Sequence, residues 1–232
     1  MFAQQKICHP GITDNLNILF DLSTIEEIKS IATKRNEGVR FSNIRGLVNQ
    51  IDNEIGGNNI FDLICHQYTT KDSLGNESLA YTGQYHSEDR AIFRPLQYAM
   101  VCLETSRPNL QRYSINMSCV HVEAVLKRKL SGLIKGADHL PLGNMVLQVK
   151  SKRLNQVLDG PMINILENTN FVYNISKHDC SFERIPPEEY NNPDPSIFNN
   201  LEAICMFFIC RKIGLMLDPS IASSERYDLG RM

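Results

Sequence analysis

Apolar residues recur three and four positions apart along most of the chain from Ser87 to Gly214, and Pro, Gly or Asp punctuates the runs. That spacing lays one side of each run against a core as a helix. Ala91 to Thr105 is apolar on one side, with Pro95 marking a start or a kink. Pro108 sits near the first turn of a helix to about Leu130 carrying Leu110, Met117, Val120, Ala124 and Val125. Leu142, Met145, Val146 and Val149 begin another, continued by Leu154, Val157 and Leu158 and stopped by Gly160. Pro161 suits the first turn of the next helix, whose inner stripe is Met162, Ile165, Leu166, Thr169, Val172, Tyr173 and Ser176. Asp194-Pro195 reads as an N-cap and first position for a last helix with Leu201, Ile204, Cys205, Phe208 and Ile209, ending at Gly214. Four or five consecutive helices joined by modest loops predict an antiparallel helical bundle.

The first 85 residues are less regular. Ser23-Thr24-Ile25-Glu26 matches a capping box with Ser23 as N-cap, opening a helix to about Lys34 that carries Ile25, Ile28 and Ile31. Ile44, Leu47, Val48, Ile51 and Ile55 form a second stripe, ended by Gly56-Gly57. Asn59 to Tyr68 fits a helix or a strand equally, and Thr69 to His86, rich in Gly, Ser, Asn and Asp, reads as a loop. The expected fold class is therefore mainly α: an antiparallel helical bundle with a smaller helical or α+β N-terminal part. Its divisions are an N-terminal region at 1–85, the bundle at 86–218 and a frayed tail at 219–232.

At 232 residues the chain can bury a substantial core. A net charge of −2 argues against a protein coated in positive potential, while leaving room for a local basic strip. The longest apolar run, Ala203 to Cys210, is far short of the roughly 20 residues that span a bilayer, and Met1 to Lys6 lacks the apolar core of a signal peptide. The expectation is a cytoplasmic protein with no membrane segment. Seven cysteines are scattered without a CxxC pair. Cys8-His9, Cys65-His66 and Cys119-Val120-His121 lack the paired short spacing of structural zinc sites, so the thiols read as small buried hydrophobes and no metal is expected. No P-loop, dinucleotide-binding glycine pattern, GxSxG or HExxH is present, and no cofactor is expected.

One stretch concentrates chemistry. Tyr173-Asn174-Ile175-Ser176-Lys177-His178-Asp179 holds an amide, an ammonium, an imidazole and a carboxylate late on a helix. Phe171, Asn174 and His178 share a face, where imidazole can act as acid or base near neutral pH. Lys177 and Asp179 project elsewhere. The competing reading has His178 closing the helix C-terminus against the dipole.

Residues 87–217 resemble a HEPN domain (higher eukaryotes and prokaryotes nucleotide-binding), an all-α bundle common in toxin–antitoxin, abortive-infection and CRISPR-associated ribonucleases. The family motif is Arg, usually a polar residue such as Asn, then His further along one late helix. Asn174 and His178 fit its Asn and His, Tyr173 occupies the Arg position, and the following apolar helix ends Arg211-Lys212-Ile213-Gly214. The resemblance implies a protein of prokaryotic defence that binds or cleaves RNA without a metal. It implies a homodimer that completes the groove, and a protein partner such as an antitoxin or defence component. Tyr173, Asn174, Lys177 and His178 would form its site. The departure matters because the Arg would stabilise charge building on the phosphate, and Tyr173 offers one neutral donor. A non-catalytic helical interaction or scaffold protein is the alternative.

A second feature bears on RNA. Lys127, Arg128, Lys129, Lys135, Lys150, Lys152 and Arg153 are seven basic residues against one acidic residue, Asp138, a local balance of +6. Such a strip can hold a phosphate backbone. It equally describes two solvated helix ends, since Lys and Arg are favoured near helix C-termini.

Overall fold

A computed structural model describes residues 5–61, 68–71, 77–80, 87–104, 108–154, 156–178 and 198–222. The chain is mainly helical. In order come α1 (Pro10–Leu19), α2 (Leu22–Asn36), a 3-10 turn (Phe41–Ile44) running into α3 (Arg45–Glu54), β1 (Tyr68–Lys71), β2 (Glu77–Ala80), α4 (Ser87–Glu104) and α5 (Pro108–Leu130). A 3-10 turn (Ala137–His139), α6 (Leu142–Ser151), α7 (Gly160–Lys177), α8 (Asn200–Leu217) and a last 3-10 turn (Pro219–Ala222) complete it.

Helix α8 is the axis of the core. Fifteen of its 18 residues are buried, which leaves no polar face. A helix apolar all round must be covered on every side, and α1, α2, α4 and α5 all pack on it. It nevertheless carries Glu202, Arg211 and Lys212, and no helix of the described residues is long and apolar enough to cross a membrane. Helix α4 pairs with α5, and α7 packs on α1, α5 and α6. Phe207 meets Phe41 edge-on at 6.1 Å and Phe208 at 5.4 Å, joining the turn before α3 to α8. Edge-to-face pairs of this kind add about 0.5–1.5 kcal/mol beyond the area they bury.

The α7 stripe expected from spacing is found: Met162, Ile165, Leu166, Thr169, Val172, Tyr173 and Ser176 are all buried. Asp159 caps the helix, accepting from the Met162 N–H at 2.9 Å. The second expected helix is α3, closed by Gly56 at φ +91°.

Several expectations are corrected. The N-cap of α2 is Asp21, which accepts from the Thr24 N–H at 2.8 Å; Ser23 lies exposed in the first turn, and Glu26 pairs with Lys29 at 2.7 Å instead of reaching back. Helix α4 begins at Ser87 and runs through Pro95, so that proline is not a start. Helix α6 does not continue through Leu154, Val157 and Leu158. Arg153 turns left-handed at φ +52°, with Arg153 N–H bonded to the Lys150 carbonyl and Leu154 N–H to the Val149 carbonyl. That pair of bonds is a Schellman stop, which ordinarily uses glycine. Asp194 and Pro195 lie outside the described residues, and α8 starts later, capped by Asn199 in a reciprocal capping box with Glu202. It also passes Gly214 and ends at Leu217. The stretch read as a loop holds most of two antiparallel strands, in which Tyr68 pairs with Ala80 and Lys71 with Glu77. Tyr68, Thr69 and Thr70 suit a pleated strand, a preference that the Gly, Ser and Asn around them obscured.

Candidate functional site

Each polar residue at the end of α7 has a different surrounding. Tyr173 faces inward and is 3% exposed. The Lys177 ammonium, one turn on, rests 3.3 Å from the centroid of its ring. This is a cation–π contact made by a residue that is itself exposed. Burial pushes the phenol well above its ordinary range, and the fields of Glu123, Cys119 and Cys210 push the same way. Burial also lowers the Lys177 ammonium, opposed by the Glu123 carboxylate.

Asn174 and His178 are exposed. His178 is the C-cap, extended at φ −121° and ψ 123°, and its N–H bonds to the Asn174 carbonyl at 3.0 Å. The tie between the two is thus through backbone, and His178 has left the helical path that would carry its ring along the Asn174 face. Asp179 lies outside the described residues. Tyr173, buried beneath the exposed Lys177 that reaches back over its ring, therefore separates from an outer pair, Asn174 and His178.

The end of α7 is finished by residues from α5 that no motif marked. Arg112 donates its Nε–H to the Ser176 carbonyl at 2.7 Å, and Asn116 donates to Ser176 Oγ at 3.3 Å. Ser176 Oγ in turn donates to the Tyr173 carbonyl at 2.7 Å. A guanidinium on the last carbonyls satisfies groups a helix end leaves open and meets the negative end of its dipole. Arg112 and Asn116 sit four apart on one helix, and that spacing is the only sign of them in the sequence.

Much of the basic strip is engaged internally. Lys127 pairs with Glu123 at 2.8 Å, Arg128 with Asp218 and Lys150 with Glu167 at 2.6 Å. Lys129 donates to the Leu217 carbonyl at 2.8 Å. Lys127, Arg128 and Lys129 occupy the last turn of α5, and Lys150 that of α6. Lys135, Lys152 and Arg153 are exposed.

Other buried ionisable groups lie elsewhere in the core. Asp52 and Arg211 form an ion pair at 2.9 Å with both side chains fully buried. His121 donates from Nδ1 to the Ile92 carbonyl at 2.8 Å, while Nε2 is buried without a partner against Gly214. Burial pushes its pKa down to about 3. Glu202 and His9 are buried at the start of α8, the carboxyl pushed up to about 7 and the imidazole down to about 4 by burial. Cys119 and Cys210 are buried with their sulfurs 4.0 Å apart. Among the described residues no three His, Cys, Asp or Glu side chains are grouped to hold a metal ion. Cys65 and His66 lie outside those residues.

Comparison with known families, curated proteins and solved structures finds no match.

Proposed function

We propose that this chain is a HEPN-like helical protein, an antiparallel bundle in architecture, that acts by binding a protein partner rather than by cutting RNA. The observation that carries the reading is Tyr173. It stands at the motif's Arg position, turned into the core with the Lys177 ammonium on its ring. The outer pair, Asn174 and His178, then receives no cation from its own helix. Metal-independent cleavage needs a fixed positive group where charge builds on the phosphate, an effect typically worth about 3–4 kcal/mol. The pairing of Lys127 with Glu123 and of Arg128 with Asp218 supports the same reading, because a carboxylate beside each cation offsets its attraction for a phosphate backbone. A second copy of the chain is the first partner to test, and a cytoplasmic setting belongs to the same proposal.

One observation favours the catalytic reading. Arg112 arrives from α5 on the Ser176 carbonyl, so a guanidinium is present at the last turn of α7 although the motif lacks one.

Incubating the purified protein with single-stranded RNA separates the two. The expected result is intact RNA, with His178→Ala folding and melting like the parent and sedimentation reporting an assembly larger than one chain. RNA cleavage abolished by His178→Ala and by Arg112→Ala would replace this reading with the catalytic one.

A further inference from the structure

Residues 5–9 belong to no helix or strand. Within the described residues, every hydrogen bond that residues 5–8 make to another element ends on Asn199, Leu201 or Glu202. Glu202 Oε1 accepts from the Cys8 N–H at 2.7 Å while Oε2 accepts from the Asn199 N–H at 3.0 Å. Asn199 Nδ2 donates to the Lys6 carbonyl at 2.8 Å, and the Leu201 N–H to Gln5 Oε1 at 3.2 Å. The His9 ring stacks on Phe198 at 4.4 Å, with Nε2 3.9 Å from Glu202 Oε1. The carboxyl that closes the capping box of α8 is thus the one that holds the segment before α1. His9 ends the segment as the N-cap of α1, its carbonyl accepting from the Ile12 and Thr13 N–H groups, and a stretch fixed at so few points before such an anchor opens locally at much less cost than the whole fold.

We propose that residues 5–9 are a detachable strap on the first turn of α8, latched by one proton carried by the buried Glu202–His9 pair. Both side chains are fully buried, and a charge there is expensive unless paired. The titratable groups around the carboxyl are Cys8 and His9 from the strap and Cys205 from α8 itself; Lys29 of α2 acts at Cys205, and Lys6 acts at Cys8. Among the described residues no Lys or Arg forms an ion pair with Glu202. Between about pH 4 and 7 burial therefore keeps the latched pair as a neutral carboxylic acid beside a neutral imidazole, 3.9 Å apart. Released into water between about pH 4.5 and 6.5, the same two groups become carboxylate and imidazolium. Latching moves a proton from the imidazole to the carboxyl and takes none from solvent.

The strap also forms part of the wall of a groove of about 890 Å³, contributing Gln5, Lys6 and Ile7 to a lining that includes Lys29, Asn36 and Leu201. Its release removes that part of the wall. The paired proton makes the release insensitive to pH, although each member alone is strongly sensitive.

Hydrogen exchange at the Cys8 and His9 amides, corrected for intrinsic rates, tests this between pH 5 and 8. In the parent protein the opening equilibrium should stay within about 3-fold across that range. His9→Phe, which keeps a ring on Phe198, should hold the strap about 70-fold more tightly at pH 5 than at pH 8. Glu202→Gln should reverse the trend, holding it about 30-fold more weakly at pH 5. One common pH slope in all three proteins would overturn the proposal. So would exchange of these amides only through global unfolding. If a variant fails to fold, the Glu202 carboxyl carbon of the parent decides: titration near 7 supports the latch, and titration near 4.5 removes it.

Discussion

The end of α7 and the length of α8 handle polar residues in opposite ways. At the end of α7, Asn174 and His178 are exposed, and the helix closes on ordinary capping bonds from Arg112 and Asn116. Along α8, a helix composed almost wholly of apolar residues, Glu202 and Arg211 are fully buried and tied to residues from the far end of the chain. The stretch densest in chemical groups is largely solvated. Fully buried charge-bearing groups lie where the sequence is most hydrophobic. Water decides this: a polar side chain in a dry core must find a partner or change its protonation, and one at a surface need do neither.

The sharpest way to break that contrast is acid. His121 lies against α8, and its pKa of about 3 in the folded chain is far below the ordinary 6.5. The unfolded chain therefore binds its proton first. The stability His121 contributes is complete above pH 6.5 and is lost as pH falls toward 3, by up to about 4–5 kcal/mol. Glu202 works in the other direction between 4.5 and 7 and largely offsets His9. Urea denaturation from pH 7 to 3.5 should show the His121 slope, and His121→Leu should flatten it.

Asp52→Ala comes next. It leaves Arg211 charged, buried and alone, with Nη1 already lacking a partner, and should cost about 3–5 kcal/mol in chemical denaturation. Replacing both members by apolar residues should cost much less, because the desolvation of two charges disappears with them. Gly214→Ala should be milder. A Cβ there would sit 2.3 Å from His121 Nε2, so a loss of about 1–3 kcal/mol is expected, and His121→Ala in the same protein should return part of it. His178→Ala closes the series at about 0.5 kcal/mol or less, since its side chain is exposed. A loss as large as that of Asp52→Ala would erase the distinction between the two regions.

How far the fold was legible follows from how local its causes are. The α7 stripe was readable because one face of one helix needs only its own spacing, and Asp159 caps it within three residues. The end of α6 was not, because Arg153 adopts a left-handed turn that glycine would have advertised. Gly214 misled in the opposite sense: it serves contact with His121 on α5 rather than termination. Asp21 took the cap of α2 because its carboxylate reaches the Thr24 N–H, leaving Ser23 inside the first turn. In the candidate site, Tyr173 was legible as inward-facing, and Lys177 was legible as lying on another face from Asn174. Arg112 and the Asp52–Arg211 pair were hidden, since their partners lie 64 and 159 residues away in sequence. No periodicity reports a contact of that range.

The position of α8 along the chain bears on how this protein is made. Helices α1 to α7 leave the ribosome before the helix around which α1, α2, α4 and α5 pack. Until residue 217 has emerged, the faces that α1, α2, α4 and α5 turn toward α8 stay open even where α4 has paired with α5, and chain elongation at about 5–20 residues per second sets how long that lasts. Newly made chains therefore spend seconds with the interior open, the interval in which chaperone capture and aggregation compete with folding.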